Sequence, residues 1–224
     1  MFVHGLNLSS PMIGSGSPLP TELAGVSILV GGVAAPILAV APLASGMQQI
    51  NFQVPVQAPS SFPSEVFFRV VIQYLGSSIF AFPQIASPGI FTLSDGTPAI
   101  EHSADYSLVT PPNPAHPGEV ILVYATGFGE VSPAVASGVP ATGPAPVVEP
   151  CGDIVAFAPT GPDSLGSILY TGLTPGFVGL YQLNIQLSST LPAGPFQFSI
   201  QDNMCGMLSP AGSLNSNTVT LPVE

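Results

Sequence analysis

Gln49-Ile50-Asn51-Phe52-Gln53-Val54 and Gln182-Leu183-Asn184-Ile185-Gln186-Leu187 are two stretches of one 224-residue chain that repeat a single pattern. Polar and apolar residues alternate in both, with the period of two that places one face of a β-strand in a core and the other in water. We expect the amides to face solvent while Ile50, Phe52 and Val54 fill the core. The alternative is that the amides form a polar recognition or subunit face. The repetition predicts two related β-modules in tandem.

The composition favours strands over helices. Apolar residues make up 46% of the chain and charged residues only 6%, and there are 24 glycines and 27 prolines. Many glycines and prolines oppose long helices and suit frequent turns. The sequence therefore predicts an all-β fold of two tandem immunoglobulin-like antiparallel β-sandwich modules.

The charge balance excludes several partners. Arg69 is the only lysine or arginine in the chain, whose formal net charge is −11 with histidines neutral. Nucleic-acid binding depends on phosphate neutralisation by lysine and arginine, so we expect no nucleic-acid partner. We also expect no membrane insertion, because glycines and prolines interrupt the apolar stretch 23–43. No signal peptide is recognisable, and the chain opens in a strand-like run, so an export signal is expected to have been removed or to lie on a missing segment.

Strand and turn signals divide the chain. We predict a first module over 1–108, a proline-rich linker over 109–118 and a second module over 119–224. The apolar run 65–74 is typical of a central strand covered on both faces, and 131–150 is predicted to be a long loop. The predicted strands are 2–7, 25–30, 35–41, 48–54, 65–74, 78–82, 119–125, 154–158, 167–170, 179–187, 195–201 and 217–222.

The order of several motifs resembles a known domain family. They are His4-Gly5-Leu6-Asn7-Leu8, 19–28 (LPTELAGVSI), 32–37 (GVAAPI), 49–55 (QINFQVP), Pro88-Gly89-Ile90-Phe91, 117–121 (PGEVI), 124–129 (YATGFG), 170–176 (YTGLTPG) and 179–184 (GLYQLN). Together they resemble the uncharacterised C-terminal domain family of exported proteins in Solibacter-type acidobacteria. The first half also resembles immunoglobulin-like modules of the IPT/TIG type. The resemblance implies a β-sandwich in an extracellular setting and brings no catalytic residues or cofactor with it.

Cys151 and Cys205 are the only cysteines. An even pair in a lysine-free, glycine- and proline-rich β protein predicts a disulfide, and two buried thiols are the alternative. The disulfide would close a loop of about 55 residues and stabilise the fold by about 2–4 kcal/mol.

His102, Asp105 and His116, with Glu101 or Glu119, form the one histidine–carboxylate cluster of the sequence. A divalent metal needs three or four converging ligands, and this spacing matches no named metal motif. We therefore predict no metal site and a solvated hinge, with His102, Asp105 and His116 as the candidates if a metal binds.

These observations lead to three hypotheses of function. The first is a non-catalytic extracellular module for structure, adhesion or assembly, including a subunit of a surface fibre that associates through its sheet edges. The second is a polysaccharide-binding module that uses the 131–150 loop or surface tyrosines, drawn from Tyr74, Tyr106, Tyr124, Tyr170 and Tyr181. The third is a metal-dependent or hydrolytic enzyme acting through His102 or His116, although no serine-hydrolase pattern is present.

Overall fold

The fold was analysed in a computed structural model of the chain. The structure describes residues 1–3, 6, 8–56, 70–74, 77–81, 88–147, 154–158, 161–162, 165–202 and 214–224. These residues form twenty strands and no helix, and all the strand pairs are antiparallel, which confirms the predicted all-β class. Within the same residues no helix is long and apolar enough to cross a bilayer.

The chain forms two compact units, each made of more than one segment. Unit 1 consists of 1–85, 134–143 and 175–179, and unit 2 consists of 86–133, 144–174 and 180–224. The boundary predicted at residue 108 is therefore replaced by one near residue 85. The units are also not two consecutive stretches, because two short segments of the second half belong to unit 1.

Unit 1 contains two sheets with a core between them. The first has the order β1-β7-β6-β2, and the second has the order β3-β4-β8-β9 with β5 paired to β4. Their strands are β1 (Phe2–Val3), β2 (Met12–Ile13), β3 (Glu22–Leu23), β4 (Val26–Val30), β5 (Val33–Ala34), β6 (Ile37–Pro42), β7 (Gln48–Phe52), β8 (Val70–Tyr74) and β9 (Ser77–Ala81). Ile28, Ile37, Val40 and Ile50 are fully buried between the sheets.

Unit 2 also contains two sheets with a core between them. One sheet has the order β10-β12-β17-β16-β13 with β11 also paired to β12, and the other has the order β15-β14-β18-β19 with β20 also paired to β18. Their strands are β10 (Gly89–Ile90), β11 (Ile100–His102), β12 (Val120–Thr126), β13 (Ala145–Pro146), β14 (Ile154–Ala158), β15 (Gly161–Pro162), β16 (Gly166–Leu173), β17 (Tyr181–Leu187), β18 (Gly194–Asp202), β19 (Leu214–Asn215) and β20 (Val219–Val223). Ile121, Leu183 and Ile185 of the first sheet meet Phe198 and Ile200 of the second in one core.

The two repeated stretches occupy corresponding inner strands, β7 and β17. Ile50, Leu183 and Ile185 are each 0% exposed, whereas Asn51 and Gln186 face solvent. The prediction that the apolar members fill the core and the amides lie outside is confirmed for these positions. It is wrong for Val54, which follows β7 and is 53% exposed.

The correspondence extends to hydrogen bonds and register. Gln49 Nε2 donates to Asn51 Oδ1 at 2.7 Å, and Gln182 Nε2 donates to Asn184 Oδ1 at 2.7 Å. The strand that pairs with each repeat contains a β-bulge. In both cases the bulge lies opposite the peptide bond between the asparagine and the residue that follows it. The bulged residues are Leu38 in β6 and Leu169 in β16. A bulge adds one residue to one strand and fixes the register of the pair around it.

The proline-rich segment 109–118 is not a linker between the units. Val109 and Ala115 are buried in the core of unit 2. The Ala115 N–H donates to the Pro222 carbonyl at 2.9 Å, and the Glu224 N–H donates to the Ala115 carbonyl at 3.0 Å. The prediction failed because prolines cannot join a sheet interior but are tolerated beside an edge strand, and here they flank the edge strand β20.

Most predicted strands are present within the described residues. The apolar stretch 23–43 forms β4, β5 and β6, and the two-residue turn between β4 and β5 has positive φ at Gly31 and Gly32, as a type I′ hairpin requires. β8 pairs on both sides, which agrees with a central strand at 65–74. Residues 65–69, including Arg69, lie outside the described residues. The loop predicted at 131–150 contains β13, and its residues 134–143 belong to unit 1.

Neighbouring residues of β18 test the assignment of buried and exposed faces. Phe198 is buried in the unit 2 core and Gln197 is exposed. We expect Phe198→Ala to lower the free energy of unfolding by about 3–5 kcal/mol, because it leaves a cavity. Gln197→Ala should change it by less than about 0.5 kcal/mol. Chemical denaturation followed by circular dichroism measures both, and equal effects of the two substitutions would contradict the assignment.

Candidate functional site

Three residues of the histidine–carboxylate cluster, His102, His116 and Glu119, lie close together in unit 2. His102 ends β11, Asp105 lies in the turn that follows, and His116 lies in the segment before β12. The rings of His102 and His116 come within 6.1 Å of each other, measured between their centroids. The structure therefore places two of the three candidate residues, His102 and His116, close together.

Glu119 is the centre of the cluster. Its Oε2 lies 3.0 Å from Nδ1 of His102, and its Oε1 accepts a hydrogen bond from the His116 backbone N–H at 2.9 Å. The His102 ring is buried, and its Nε2 lies 3.4 Å from the Asn113 carbonyl oxygen. Both ring nitrogens of His102 thus face acceptors, an arrangement that suits the doubly protonated imidazolium.

The environment of His102 sets its protonation. Burial of the ring acts to lower its pKa, but the hydrogen bond and charge of Glu119, the Asn113 carbonyl and the charge of Asp105 outweigh burial. The net result is that the pKa of His102 is raised. His102 therefore stays protonated, and paired with Glu119, up to a higher pH than a histidine with the ordinary pKa would.

Asp105 does not join the cluster through a hydrogen bond. Its Oδ1 accepts from the Ser107 hydroxyl at 2.7 Å and from the Ser107 N–H at 2.9 Å, and these two bonds lower the pKa of Asp105. Asn113 Nδ2 in turn donates to the Ser107 hydroxyl at 3.1 Å. Asp105 therefore stabilises the turn between β11 and the proline-rich segment.

His116 connects the cluster to the last described strand. Its Nδ1 lies 2.9 Å from Oε1 of Glu224, and both side chains are more than half exposed. Glu224 also takes part in the backbone pairing of Ala115 with Val223. No sequence signal identified Glu224 or Asn113, because the residues that each one meets here are brought to it only by the fold.

This histidine–carboxylate clasp, formed by His102, His116, Glu119 and Glu224, ties the proline-rich segment to β11 and β20. Each imidazole is paired with a different carboxylate. Within the described residues, no group of three or more histidine, cysteine, aspartate or glutamate side chains is placed to hold a metal ion. Cys151 and Cys205, the predicted disulfide, lie outside the described residues.

The tyrosines differ widely in exposure. The hydroxyl of Tyr124 donates to Glu101 Oε2 at 2.8 Å, and burial, this bond and the carboxylate charge raise its pKa to about 12. Burial likewise raises the pKa of Tyr181 to about 12, and its hydroxyl donates to the Gly129 carbonyl. Tyr106, by contrast, is 68% exposed and has a φ of 60°, which is unusual for a residue with a side chain. Among the tyrosines whose side chains the structure describes, Tyr106 alone is exposed, and its ring is open to stacking.

An open cleft of about 640 Å³ lies beside the clasp in unit 2. Its lining residues include five prolines and the acidic residues Asp95 and Glu224. The prolines are Pro98, Pro111, Pro114, Pro195 and Pro222.

Comparison with known proteins leaves the family open. No protein-family model matches the sequence, and no curated protein shows significant similarity to it. The resemblance to the acidobacterial C-terminal domains and to IPT/TIG modules therefore remains a prediction.

The raised pKa of His102 predicts a pH-dependent contribution to stability. A group whose pKa is higher in the folded than in the unfolded state stabilises fully below the unfolded value, about 6.5 for histidine, and this contribution is lost as the pH rises through the folded value. We expect the difference in free energy of unfolding between wild type and His102→Gln to shrink as the pH rises from about 5.5 to 9. Urea denaturation at several pH values measures it.

Glu119→Gln provides the matched control, because it keeps the shape of the partner and removes its charge. The groups facing His102 are the carboxylates of Glu119 and Asp105, the Asn113 carbonyl and the His116 ring. We expect His102→Gln in the Glu119→Gln background to show little of the pH dependence. An undiminished dependence there would assign it to another group.

Proposed function

We propose that this chain is a non-catalytic structural or assembly module of an extracellular or cell-surface protein, with a fibre subunit as its most specific form. The observation that carries the proposal is that two edge strands expose apolar side chains. β1 and β2 are the two ends of one sheet in unit 1, and Phe2 and Ile13 on them are 61% and 70% exposed. Exposed apolar edge strands are typical of sites where chains associate.

Soluble proteins protect such edges with charged residues, above all lysine. This chain contains no lysine, and residues 1–21 include no Asp, Glu, Lys or Arg. The edges of this sheet therefore lack the charged residues that oppose association. The low content of charged side chains and the family resemblance support an extracellular setting.

Localisation tests this proposal directly. In the organism that produces the protein, an antibody raised against the purified chain should detect it in the culture medium or on intact cells, with a cytosolic enzyme as the marker of leakage. The purified chain should show no turnover in a panel of esterase and glycosidase substrates. Recovery with the cytosolic marker, or turnover that His102→Ala abolishes, would refute the structural role.

Polysaccharide binding is the second candidate, because Tyr106 presents an exposed ring in a turn that also contains Asp105. Aromatic rings with adjacent carboxylate and amide groups are suited to stacking on and hydrogen bonding to sugars. The Asp105–Ser107–Asn113 hydrogen bonds hold the turn that carries this ring.

Pull-down with insoluble polysaccharides distinguishes the candidates. If the protein binds glycans through this turn, Tyr106→Ala should abolish retention, while Phe177→Ala, which removes a 55% exposed ring from unit 1, should leave it unchanged. Absence of retention by the wild-type protein would leave the assembly role as the sole proposal.

A further inference from the structure

In unit 2, both ends of the sheet that corresponds to β1-β7-β6-β2 are covered by other parts of the chain. β10 and β11 pair with the outer edge of β12. At the other end, the Ser132 N–H donates to the outward carbonyl of Pro146 in β13 at 2.9 Å. These hydrogen bonds occupy backbone N–H and C=O groups that could otherwise pair with a strand of another molecule.

Tyr124 shows how the cover on β12 works. It lies opposite Gln182, and its own N–H and carbonyl point away from β17. The Tyr124 N–H donates to the Ala99 carbonyl, and the Tyr124 carbonyl accepts from the Phe91 N–H, each at 3.0 Å. The outward backbone groups of this residue are therefore both satisfied within the chain.

Phe2 is the counterpart of Tyr124 in unit 1. It lies opposite Gln49, which corresponds to Gln182 in the repeated stretch. Met1 and Ile50 exchange two hydrogen bonds, at 2.9 and 2.8 Å. Because bonded and non-bonded pairs alternate in an antiparallel ladder, the N–H and carbonyl of Phe2 point outward. Within the described residues, nothing covers them.

The backbone N–H and carbonyl of Ile13 are arranged in the same way at the opposite end of the sheet. It lies opposite Ala39 in β6, and the Gly14 N–H donates to the Leu38 carbonyl at 2.8 Å. The alternation then directs the N–H and carbonyl of Ile13 outward. The described part of the chain provides no cover here, whereas Ser132 covers the corresponding end in unit 2.

The two edges, which no described residue covers, match each other in direction. Every neighbouring pair in the order β1-β7-β6-β2 is antiparallel, so β1 and β2 themselves run in opposite directions. A second copy in the same orientation, moved along the sheet, brings its β1 antiparallel to the β2 of the first. Phe2 and Ile13 can then face each other and exchange two N–H···O=C bonds.

We propose that β1 of one molecule pairs with β2 of a second copy of the same chain. This inference rests on the assembly role proposed above and names its partner and its two surfaces. The contact joins different patches on the two copies, so it is heterologous and leaves an unused β1 and an unused β2 at the ends. Repetition therefore builds an open linear assembly.

The charges and the exposed apolar residues of these two edges suit a second copy of the chain as the partner. Residues 1–21 include no Asp, Glu, Lys or Arg, so the contact brings no carboxylates together despite the net charge of −11. Pairing also covers Phe2 and Ile13, which are the two most exposed large apolar residues of this sheet.

Sedimentation velocity over a wide range of concentration tests the pairing. The wild-type chain should form a series of species that grows with concentration. Phe2→Lys and Ile13→Lys should each sediment as monomers, because a lysine on an edge strand opposes pairing. Leu169→Lys is the matched control, since Leu169 is 59% exposed in unit 2, and it should assemble like wild type.

Mixing the two edge variants gives the decisive result. Phe2→Lys keeps an intact β2 edge, and Ile13→Lys keeps an intact β1 edge. An equimolar mixture should therefore form a one-to-one complex that grows no further. Circular dichroism should show that each variant is folded.

Three outcomes would overturn the pairing. The first is a wild-type chain that stays monomeric at every concentration. The second is an Ile13→Lys variant that still dimerises while Phe2→Lys does not, since that result indicates symmetric β1–β1 contact. The third is a mixture that forms no complex. In each case the extracellular structural role still stands or falls on the localisation and turnover experiments.

Discussion

The requirement that a sheet bury one face while its backbone groups stay paired governs this structure. β7 and β17 are inner strands in which Ile50, Leu183 and Ile185 are fully buried, and each has hydrogen-bonded neighbours on both sides. With little charge available, the chain depends on this burial for its stability. The second sheet of each unit covers the apolar face of the first. Where the strands end, the same requirement decides whether an edge is covered or open.

The sequence predicted the inner strands well because their pattern is local. Alternation in 49–54 and 182–187, and turn residues such as Gly31 and Gly32, report directly on backbone conformation. Two-residue strands such as β2, β10 and β13 were missed, because they are defined by their pairing partners and carry no periodicity. The boundary at residue 108 was also wrong. A proline-rich segment has the same composition whether it links two units or packs beside an edge strand.

The candidate site was predictable in part for a similar reason. His102, Asp105, His116 and Glu119 lie within 18 residues of one another, which is why the sequence marked them as a candidate cluster. Their roles do not follow from the sequence, because the burial of His102 and the position of Glu224 depend on how β11, β12 and β20 are arranged. Tyr106 illustrates the same limit. Its exposure comes from a turn with positive φ that no local motif specified.

The bulges at Leu38 and Leu169 have a consequence for the shape of anything built from these sheets. A bulge increases the local right-handed twist of the strands around it. A ribbon extended through unit 1 would add this rotation with every subunit and would coil with a regular pitch. Coiled ribbons cannot stack flat on one another as amyloid sheets do. The same inserted residue that fixes a register within the molecule would thus keep a filament from thickening sideways.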